Sequence, residues 1–337
     1  MVFGMKEEVE NRKMNVKSFR SFLAQRSATT LVVFIALVVI FSLFTRNHVF
    51  IGQRNITALG KLFPDLGIIA LGVGMLMISG EFDLSVASVL PFTSYIFAQF
   101  MLGGYAPFWA LLVAIGIGGM LGLLNGIIVV KTNMPSFIVT LATLMFWRGV
   151  LFVWSRMMPL NIRPFVERGS LFEQAMNGTV AEFFPIQTVW FIIFSVVLGI
   201  ILHFHRFGNW IFATGDNRDA ARAMGINTNL VKIICFIIVG LLCGLSGGLQ
   251  TVRLGSFAAT QGIGFELRAI AACVVGGVSL RGGIGAMGGI VLGALTIPIL
   301  DNGLILMRVP VFGITAFIGL ATILFVLLNS YVERKLM

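Results

Sequence analysis

Charged residues are scarce in this chain of 337 residues, where they make up 11% of the sequence. Soluble domains carry about 25%, so this chain lacks the charge needed to cover a water-facing surface. Apolar residues make up 58% of the sequence and lie in long runs. Because about 20 apolar residues cross a bilayer as a helix, the composition predicts an all-α integral membrane protein that is embedded in the lipid bilayer.

Cysteine is also rare. Cys235, Cys243 and Cys273 stand alone inside apolar runs, where sulfur packs as a small hydrophobic group. A disulfide scaffold and a zinc module are therefore disfavoured. No His, Cys and carboxylate residues have metal-ligand spacing, and no nucleophile stands beside a base. We therefore expect no enzyme activity and no cofactor on this chain.

The phosphate-binding pattern G-x-x-x-x-G-K-S/T is missing as well. If ATP drives this protein, the ATPase must be a different polypeptide. The net charge of +10 comes from basic residues scattered between apolar segments. A nucleic-acid binder needs a clustered basic face, so the charge reflects membrane orientation and no nucleic-acid partner is expected.

Ten apolar segments are long enough to be membrane helices. They cover residues 28–44, 62–78, 84–102, 107–130, 134–154, 187–204, 230–250, 266–280, 284–300 and 311–329. An even number returns the C-terminus to the side of the N-terminus. The basic tail at 1–27 predicts that this side is cytoplasmic, with a membrane domain at 28–329 and a second cytoplasmic tail at 330–337. Residues 205–229, the connecting segment, then lie in the cytoplasm.

Glycine interrupts two of these regions. A polar turn at 79–85, which we call the first break, joins the second and third segments. The eighth segment is short and ends in a glycine-rich stretch at 276–286, which we call the second break. Such backbone is stable at membrane depth only inside protein or beside a watery cavity. We therefore predict short broken helices that line a central path, and an inverted repeat that relates spans two to five to spans seven to ten.

The first break contains two carboxylates. Glu81 and Asp83 either face a transport path or a buried partner, or lie at headgroup level, where Asp83 would cap the third span. Ser85 is a further candidate for the path. Asn125 lies deep in the fourth span, where its amide bonds another helix or a polar solute.

The second half of the chain offers three more path candidates: Glu266, Ser279 and Asn302. Glu266 and Arg268 open the eighth span and Arg253 ends the seventh, so an ion pair between them is plausible. Alternatively, Glu266 binds substrate hydroxyls at a cavity mouth. Asn302, with Asp301, closes the ninth span and faces a delivery protein or solvent.

The connecting segment is the most polar loop of the chain. Asp216 or Asn217 can cap a short helix that ends at Gly225, since Asp and Asn accept from first-turn amides and Gly supplies a left-handed terminus. Such a helix either docks into a groove on another protein or is a solvated connector. The residues assigned to docking are Gly215, Asn217, Ala220, Ala221, Arg222, Gly225 and Ile226.

Four segments in order resemble one family. They are GEFDLSVAS at 80–88, GLLNG at 122–126 followed by MPSFIVTL at 134–141, ATGDNRDAARAMGIN at 213–227, and the glycine-rich stretch 264–285 followed by NGL at 302–304. Together they resemble the permease subunits of carbohydrate ABC importers of the ribose/xylose type, which are related to branched-chain amino-acid permeases.

The resemblance implies an importer permease in a bacterial inner membrane. It implies a second permease subunit, identical or different, two cytoplasmic ABC ATPase subunits that hold ATP and Mg, and an extracytoplasmic sugar-binding protein. Glu81, Ala87 and Arg268 depart from the family pattern, so the solute is left open. The alternatives are an ion-coupled secondary transporter and an ABC permease for amino acids or nucleosides.

Overall fold

The computed structural model describes residues 26–181, 184–310, 313–314, 316–324 and 327. Most of the predicted N-terminal tail, the whole predicted C-terminal tail and parts of the last predicted span lie outside these residues. The helices are α1 Arg26–Phe44, α2 Gln53–Ile78, α3 Val86–Leu102, α4 Pro107–Thr132, α5 Ser136–Ser155, α6 Leu171–Asn177, α7 Ile186–Phe204, α8 Arg206–Asp216, α9 Arg218–Ala223, α10 Thr228–Leu254, α11 Phe265–Val275 and α12 Met287–Leu306. The expectation of an all-α membrane protein is confirmed.

Four two-residue strands accompany the helices in the described part of the chain. They are β1 Leu160–Asn161, β2 Thr179–Val180, β3 Phe184–Pro185 and β4 Ser256–Phe257. The antiparallel pairing of β1 with β4 joins the chain after α5 to the chain after α10. The pairing of β2 with β3 precedes α7.

Six helices are long and apolar enough to cross a membrane among the described residues: α2, α4, α5, α7, α10 and α12. Apolar helices of fewer residues lie at Thr30–Phe44 and Val86–Leu102, and residues 316–324 are helical within the last predicted span. Every predicted apolar segment thus contains helix, whereas ten crossings and the inverted repeat stay predictions.

Three predicted boundaries differ from the structure by about five residues or more. Helix α2 begins at Gln53 rather than at residue 62, because its first turns are polar and apolar patterning does not detect them. Helix α11 ends at Val275 because two glycines follow, the second with φ +84°. Helix α12 continues to Leu306, so Asp301 and Asn302 lie inside the helix rather than at its end.

Helix α2 is the central element of the bundle. All of its residues from Pro64 to Ile78 are buried. Pro64 has no N–H, so the carbonyl of Gly60 receives no helical hydrogen bond from it. The Thr188 hydroxyl from α7 donates to that oxygen at 2.7 Å. The proline thus creates an acceptor that α7 uses to dock on α2.

Helices α4 and α10 cross at backbone contact through glycines. A Cβ on Gly118 would collide with the carbonyl of Gly240, and a Cβ on Gly240 would collide with the carbonyl of Gly118. Gly122 lies equally close to the carbonyl of Phe236. Small residues four apart allow such close approach between membrane helices. This crossing ties the first half of the chain to the second.

Candidate functional site

The first break is held by a buried carboxylate. Asp83 is 2% exposed, and its Oδ1 accepts from the Ser85 backbone N–H at 2.8 Å and from the Ser85 hydroxyl at 2.6 Å. These bonds satisfy donors at the free N-terminus of α3. Ser85 is the N-cap residue of α3 and no side chain makes a cap hydrogen bond there. Asp83 thus holds the turn that precedes the helix, and its roles as a cap and on the path both stay predictions.

Two neighbouring helices bind the same break. The Asn125 amide of α4 donates to the Ser85 hydroxyl oxygen at 2.7 Å, so the Asn bonds another helix. From the start of α5, the Ser136 hydroxyl oxygen accepts from the backbone N–H of Phe82 at 2.9 Å. The first break is thus fixed to α4 and α5 by side chains.

Glu81 forms a buried ion pair with Lys232, which lies near the start of α10. The side chains are 11% and 9% exposed, respectively. Taking two charges out of water is costly, and removing one partner leaves the other charge uncompensated. Of the three alternatives predicted for Glu81, the structure supplies the buried partner. The pair links the first break to the helix that follows the connecting segment.

The connecting segment contains α8 and α9. Asn217 caps α9, accepting from the backbone N–H groups of Asp219 and Ala220 at 3.1 and 3.0 Å. The predicted cap is therefore Asn217 rather than Asp216. Gly225 follows α9 with φ +83°, and nothing lies within 4 Å of the position of a Cβ there.

The two sides of α9 differ in exposure. Ala221 is 2% exposed and faces the body of the chain, whereas Met224 is 81% exposed. Arg222 bends back, its Nε donating to the Thr228 hydroxyl oxygen at 3.0 Å and its Nη2 to the Asn229 side-chain oxygen at 3.0 Å. Ala221 is thus unavailable to a partner, while Met224 presents an apolar tip.

A glycine junction connects the connecting segment with both breaks. A Cβ on Gly215, at the end of α8, would collide with the carbonyl of Ile78 and lie 2.6 Å from the backbone N of Gly283. The Gly283 N–H donates to the Ile78 carbonyl at 2.8 Å. A Cβ on Gly282 would lie 2.9 Å from both the Gly215 oxygen and the Gly80 Cα. Three backbone segments therefore meet where no side chain fits.

The second break has few side-chain partners by comparison. The Ser279 backbone N–H donates to the Ile284 carbonyl at 2.9 Å, and the Ser279 hydroxyl oxygen accepts from the backbone N–H of Arg281 at 3.1 Å. A Cβ on Gly276 would collide with the carbonyl of Gly289 in α12. This break is a backbone turn packed directly on helix backbone.

The predicted ion pair of Arg253 with the start of the eighth span is wrong. Arg253 pairs with Asp65 of α2, and Arg268 pairs with Asp301 at 2.9 Å. Distance along the chain misled this prediction, because the true partner of Arg253 lies 188 residues away.

Asn302 also has a partner inside the chain. Its amide exchanges two hydrogen bonds with the Asn55 amide, at 2.9 and 3.0 Å. Glu266 lies in the first turn of α11, and its Oε2 is buried with no hydrogen-bond partner among the described residues. Among the described residues, Asn302 therefore makes a side-chain pair with another helix, whereas Glu266 and Ser279 make none.

Sequence reasoning did not single out four polar residues of this region: Asp65, Arg148, Lys232 and Gln261. The first three bond other parts of the chain, and Gln261 has a buried side-chain amide. Arg148 of α5 donates to the carbonyl oxygens of Ala259 and Gln261 at 3.0 and 3.1 Å and also bonds the carbonyl of Ala87. For the three charged residues, a charge within an apolar run was the available signal.

Comparison with known proteins gives a family and named relatives. Residues 55–328 match the family described as "Branched-chain amino acid transport system / permease component". The chain is 34% identical over 308 residues to the ribose import permease protein RbsC of Escherichia coli K12, covering 90% of this chain and 92% of that protein.

Less similar relatives are named for other solutes. The xylose/arabinose import permease protein XylH of Sulfolobus acidocaldarius is 31% identical over 301 residues, covering 86% of this chain and 82% of that protein. The autoinducer 2 import system permease protein LsrC of Salmonella typhi is 29% identical over 291 residues, covering 85% and 80%. No solved structure gives a significant match.

Proposed function

This chain belongs to the family of permease components of the branched-chain amino acid transport system type, and on that premise we propose that it is the membrane-spanning subunit of an ATP-driven sugar importer. Relatives that are at least 30% identical over most of the chain are named as import permeases for ribose and for xylose/arabinose. A pentose or a similar neutral sugar is therefore the proposed solute.

The connecting segment is the proposed docking site for a cytoplasmic ABC ATPase, which would hold ATP and Mg. Met224, Ala220 and Gly225 are exposed and uncharged, and together they make up a small apolar surface that we call the protrusion. The capping of α9 and the hydrogen bonds of Arg222 hold this protrusion in one shape. A preformed apolar tip is suited to a groove on a partner, because little ordering entropy is lost on docking.

The glycine junction would transmit movement of the connecting segment to the two breaks. Because Gly215 touches both the Ile78 carbonyl and the backbone of Gly283, a displacement of α8 displaces both breaks together. Packed interfaces switch between discrete arrangements rather than deforming gradually. ATP-driven movement of the docked segment would thereby alternate access to a path between two permease subunits.

The path itself is proposed to run beside the two breaks. Glu266 and Ser279 are the proposed polar contacts of the solute along this path. The bonded residues of the first break and α4 would hold in place the helices that line it; these residues are Glu81, Asp83, Ser85 and Asn125. A neutral polyol needs no unpaired charge along its route. The proposed partners are a second permease subunit within a bacterial inner membrane and an extracytoplasmic sugar-binding protein at the outer end of the path. Both termini of this chain would be cytoplasmic.

Transport measurements test this proposal. Membrane vesicles with all importer subunits and with ATP inside should take up D-ribose or D-xylose, and vesicles that lack the ATPase or ATP should not. An ionophore should have no effect on this uptake. Uptake that collapses with an ion gradient would instead establish a secondary transporter. Uptake of an amino acid or nucleoside with no pentose uptake would overturn the sugar assignment.

The docking surface needs its own variant. Met224→Asp places a charge on the protrusion and should abolish co-purification of the ATPase without lowering the amount of permease in the membrane. Met158→Asp is the matched control, since Met158 is 63% exposed and lies beyond α5, away from the connecting segment. ATPase recovered with Met224→Asp at the wild-type yield would contradict docking at this site.

A further inference from the structure

A loop enters the membrane domain between α10 and α11. Strand β4 pairs with β1, which follows the end of α5. A few residues after β4, the carbonyls of Ala259 and Gln261 accept from the guanidinium of Arg148. Arg148 lies about 10 Å back along α5 from the end of that helix. The loop at 258–264 therefore turns inward from the end of a membrane-spanning helix.

Helix α11, which follows this loop, is too short to cross the membrane. It has 11 residues, or about 16 Å, whereas the apolar core of a bilayer is about 30 Å thick. The chain that leads into α11 is the non-helical loop at the level of Arg148. Backbone of this kind is stable at membrane depth only against protein or beside water, because lipid cannot bond its N–H and C=O groups.

This stretch nevertheless lies on the surface of the single chain. Ile263 in the loop is 60% exposed, and Leu267 in α11 is 64% exposed. The ion pair of Arg268 with Asp301 lies beside them, with side chains that are 34% and 21% exposed. A charged pair that is open to acyl chains is costly at this depth. The face formed by the loop and α11 is therefore poorly suited to lipid.

The same face contains an apolar groove. A cavity of about 800 Å³ lies between α11 and the helical residues 316–324. Leu267 and Val274 line it from α11, and Ile323 lines it from the opposite helix. Gly319 also borders the groove, and a Cβ added there would have no atom of the described residues within 4 Å. The groove thus has room for the side chains of another protein.

The chemistry of the groove selects the kind of partner. Apolar walls of this size gain from contact with apolar side chains rather than with water. The partner must itself lie in the membrane, because the groove borders α11 at membrane depth. Since Arg268 and Asp301 neutralise each other, the face does not repel an identical face. An exposed helix beside an open groove is also self-complementary about a two-fold axis.

We propose that this face binds a second copy of the chain, with α11 of each copy packed against the groove of the other. The contact would cover the loop, the ion pair and the apolar walls together. The inference rests on the proposed function, which requires a second permease subunit. It adds that the second subunit is identical and that the two meet at α11.

Cross-linking in native membranes tests the contact. In Leu267→Cys the new thiol is exposed, whereas the three natural cysteines are buried. A short bis-maleimide should link most of this variant into dimers. Val196→Cys is the matched control, because Val196 is 55% exposed and, like Leu267, lies eight residues before the end of its helix. Equal dimer yields at the two positions, or dimers at neither, would overturn the interface.

Filling the groove is the second test. Gly319→Trp places a ring in open space, so it should leave the amount of protein in the membrane unchanged. Co-purification of two differently tagged copies should fall on the order of tenfold, because the ring occupies the site of the partner. Gly116→Trp on α4 is the control, since a Cβ there also has open space around it. Wild-type co-purification by Gly319→Trp would contradict the proposal.

A fluorophore on Leu267→Cys reports what covers the groove. Spin-labelled phospholipids should quench it much less than they quench the same fluorophore on Val196→Cys. Equal quenching would show that lipid fills the groove. Cross-linking of Leu267→Cys only to a different permease would refute an identical partner, and cross-linking only within one chain would refute any partner at this face.

Uptake by the complete importer separates this interface from the proposed function. If ATP-dependent pentose uptake occurs but Leu267→Cys forms no dimers, the interface fails and the sugar importer stands. If the copies cross-link through α11 but no pentose is transported, the interface stands and the sugar assignment fails.

Discussion

The two breaks achieve a similar interruption of membrane helices by opposite means. In the first break, Glu81, Asp83 and Ser85 each have a side-chain partner, including Lys232. In the second break, glycines allow backbone to lie on backbone, as where Gly283 bonds the Ile78 carbonyl. The first break should therefore be sensitive to lost partners, and the second to added volume.

The largest effect is expected at the ion pair of the first break. Lys232→Met leaves the Glu81 carboxylate buried without its partner, which should cost about 3 to 5 kcal/mol of unfolding free energy. The double variant Glu81→Leu/Lys232→Met removes both charges and should regain most of that loss. Thermal unfolding in micelles measures both, and equal stability of the single variant and the wild type would contradict the comparison.

Added volume at the glycine junction should have the next largest effect. Gly215→Ala puts a methyl group against the Ile78 carbonyl and the Gly283 nitrogen, and backbone atoms yield little, so we expect a cost of about 3 kcal/mol. Gly288→Ala is the control, because nothing lies within 4 Å of a Cβ there and alanine favours helix. Similar stability of the two variants would refute the tight junction.

A smaller effect is expected from the amide that binds the first break. Asn125→Ala removes the hydrogen bond to the Ser85 hydroxyl oxygen and leaves a small cavity, at a cost of about 2 kcal/mol. Thr132→Ala lies on the same helix, where the hydroxyl donates to the Ile128 carbonyl and accepts from the Met134 backbone N–H at 3.3 Å. The position is exposed, so water can replace both bonds and this variant should cost less stability than Asn125→Ala. Unfolding temperatures that rank these variants in the reverse order would exclude a role for Asn125 in stabilising the break.

The smallest effect should come from the cap of α9, which lies beside the junction. Asn217→Ala leaves the Asp219 and Ala220 amides unbonded and should cost about 1 kcal/mol, confined to this helix. Asn217→Asp keeps an acceptor oxygen and should retain the cap. Hydrogen exchange at these two amides reports the change, and unaltered protection in Asn217→Ala would disprove the capping role.

Local features of the site were predictable from sequence. Asn217 before α9 and Gly225 after it follow rules that involve only neighbouring residues. The partner of Glu81 was not predictable, since Lys232 lies 151 residues away. The contacts of Arg148 were not predictable either, because its three acceptors are backbone oxygens that no side-chain pattern marks.

Composition alone determined that this chain is a helical membrane protein, because 11% charge cannot solvate a surface and long apolar runs require lipid or a core. The order of helices and the caps of the connecting segment followed from local patterns as well. Only the tertiary structure decided which charges pair, where Gly215 meets both breaks, and that Arg148 holds the loop at 258–264. Those features depend on contacts between residues far apart in sequence, and such contacts exist only once the helices have packed.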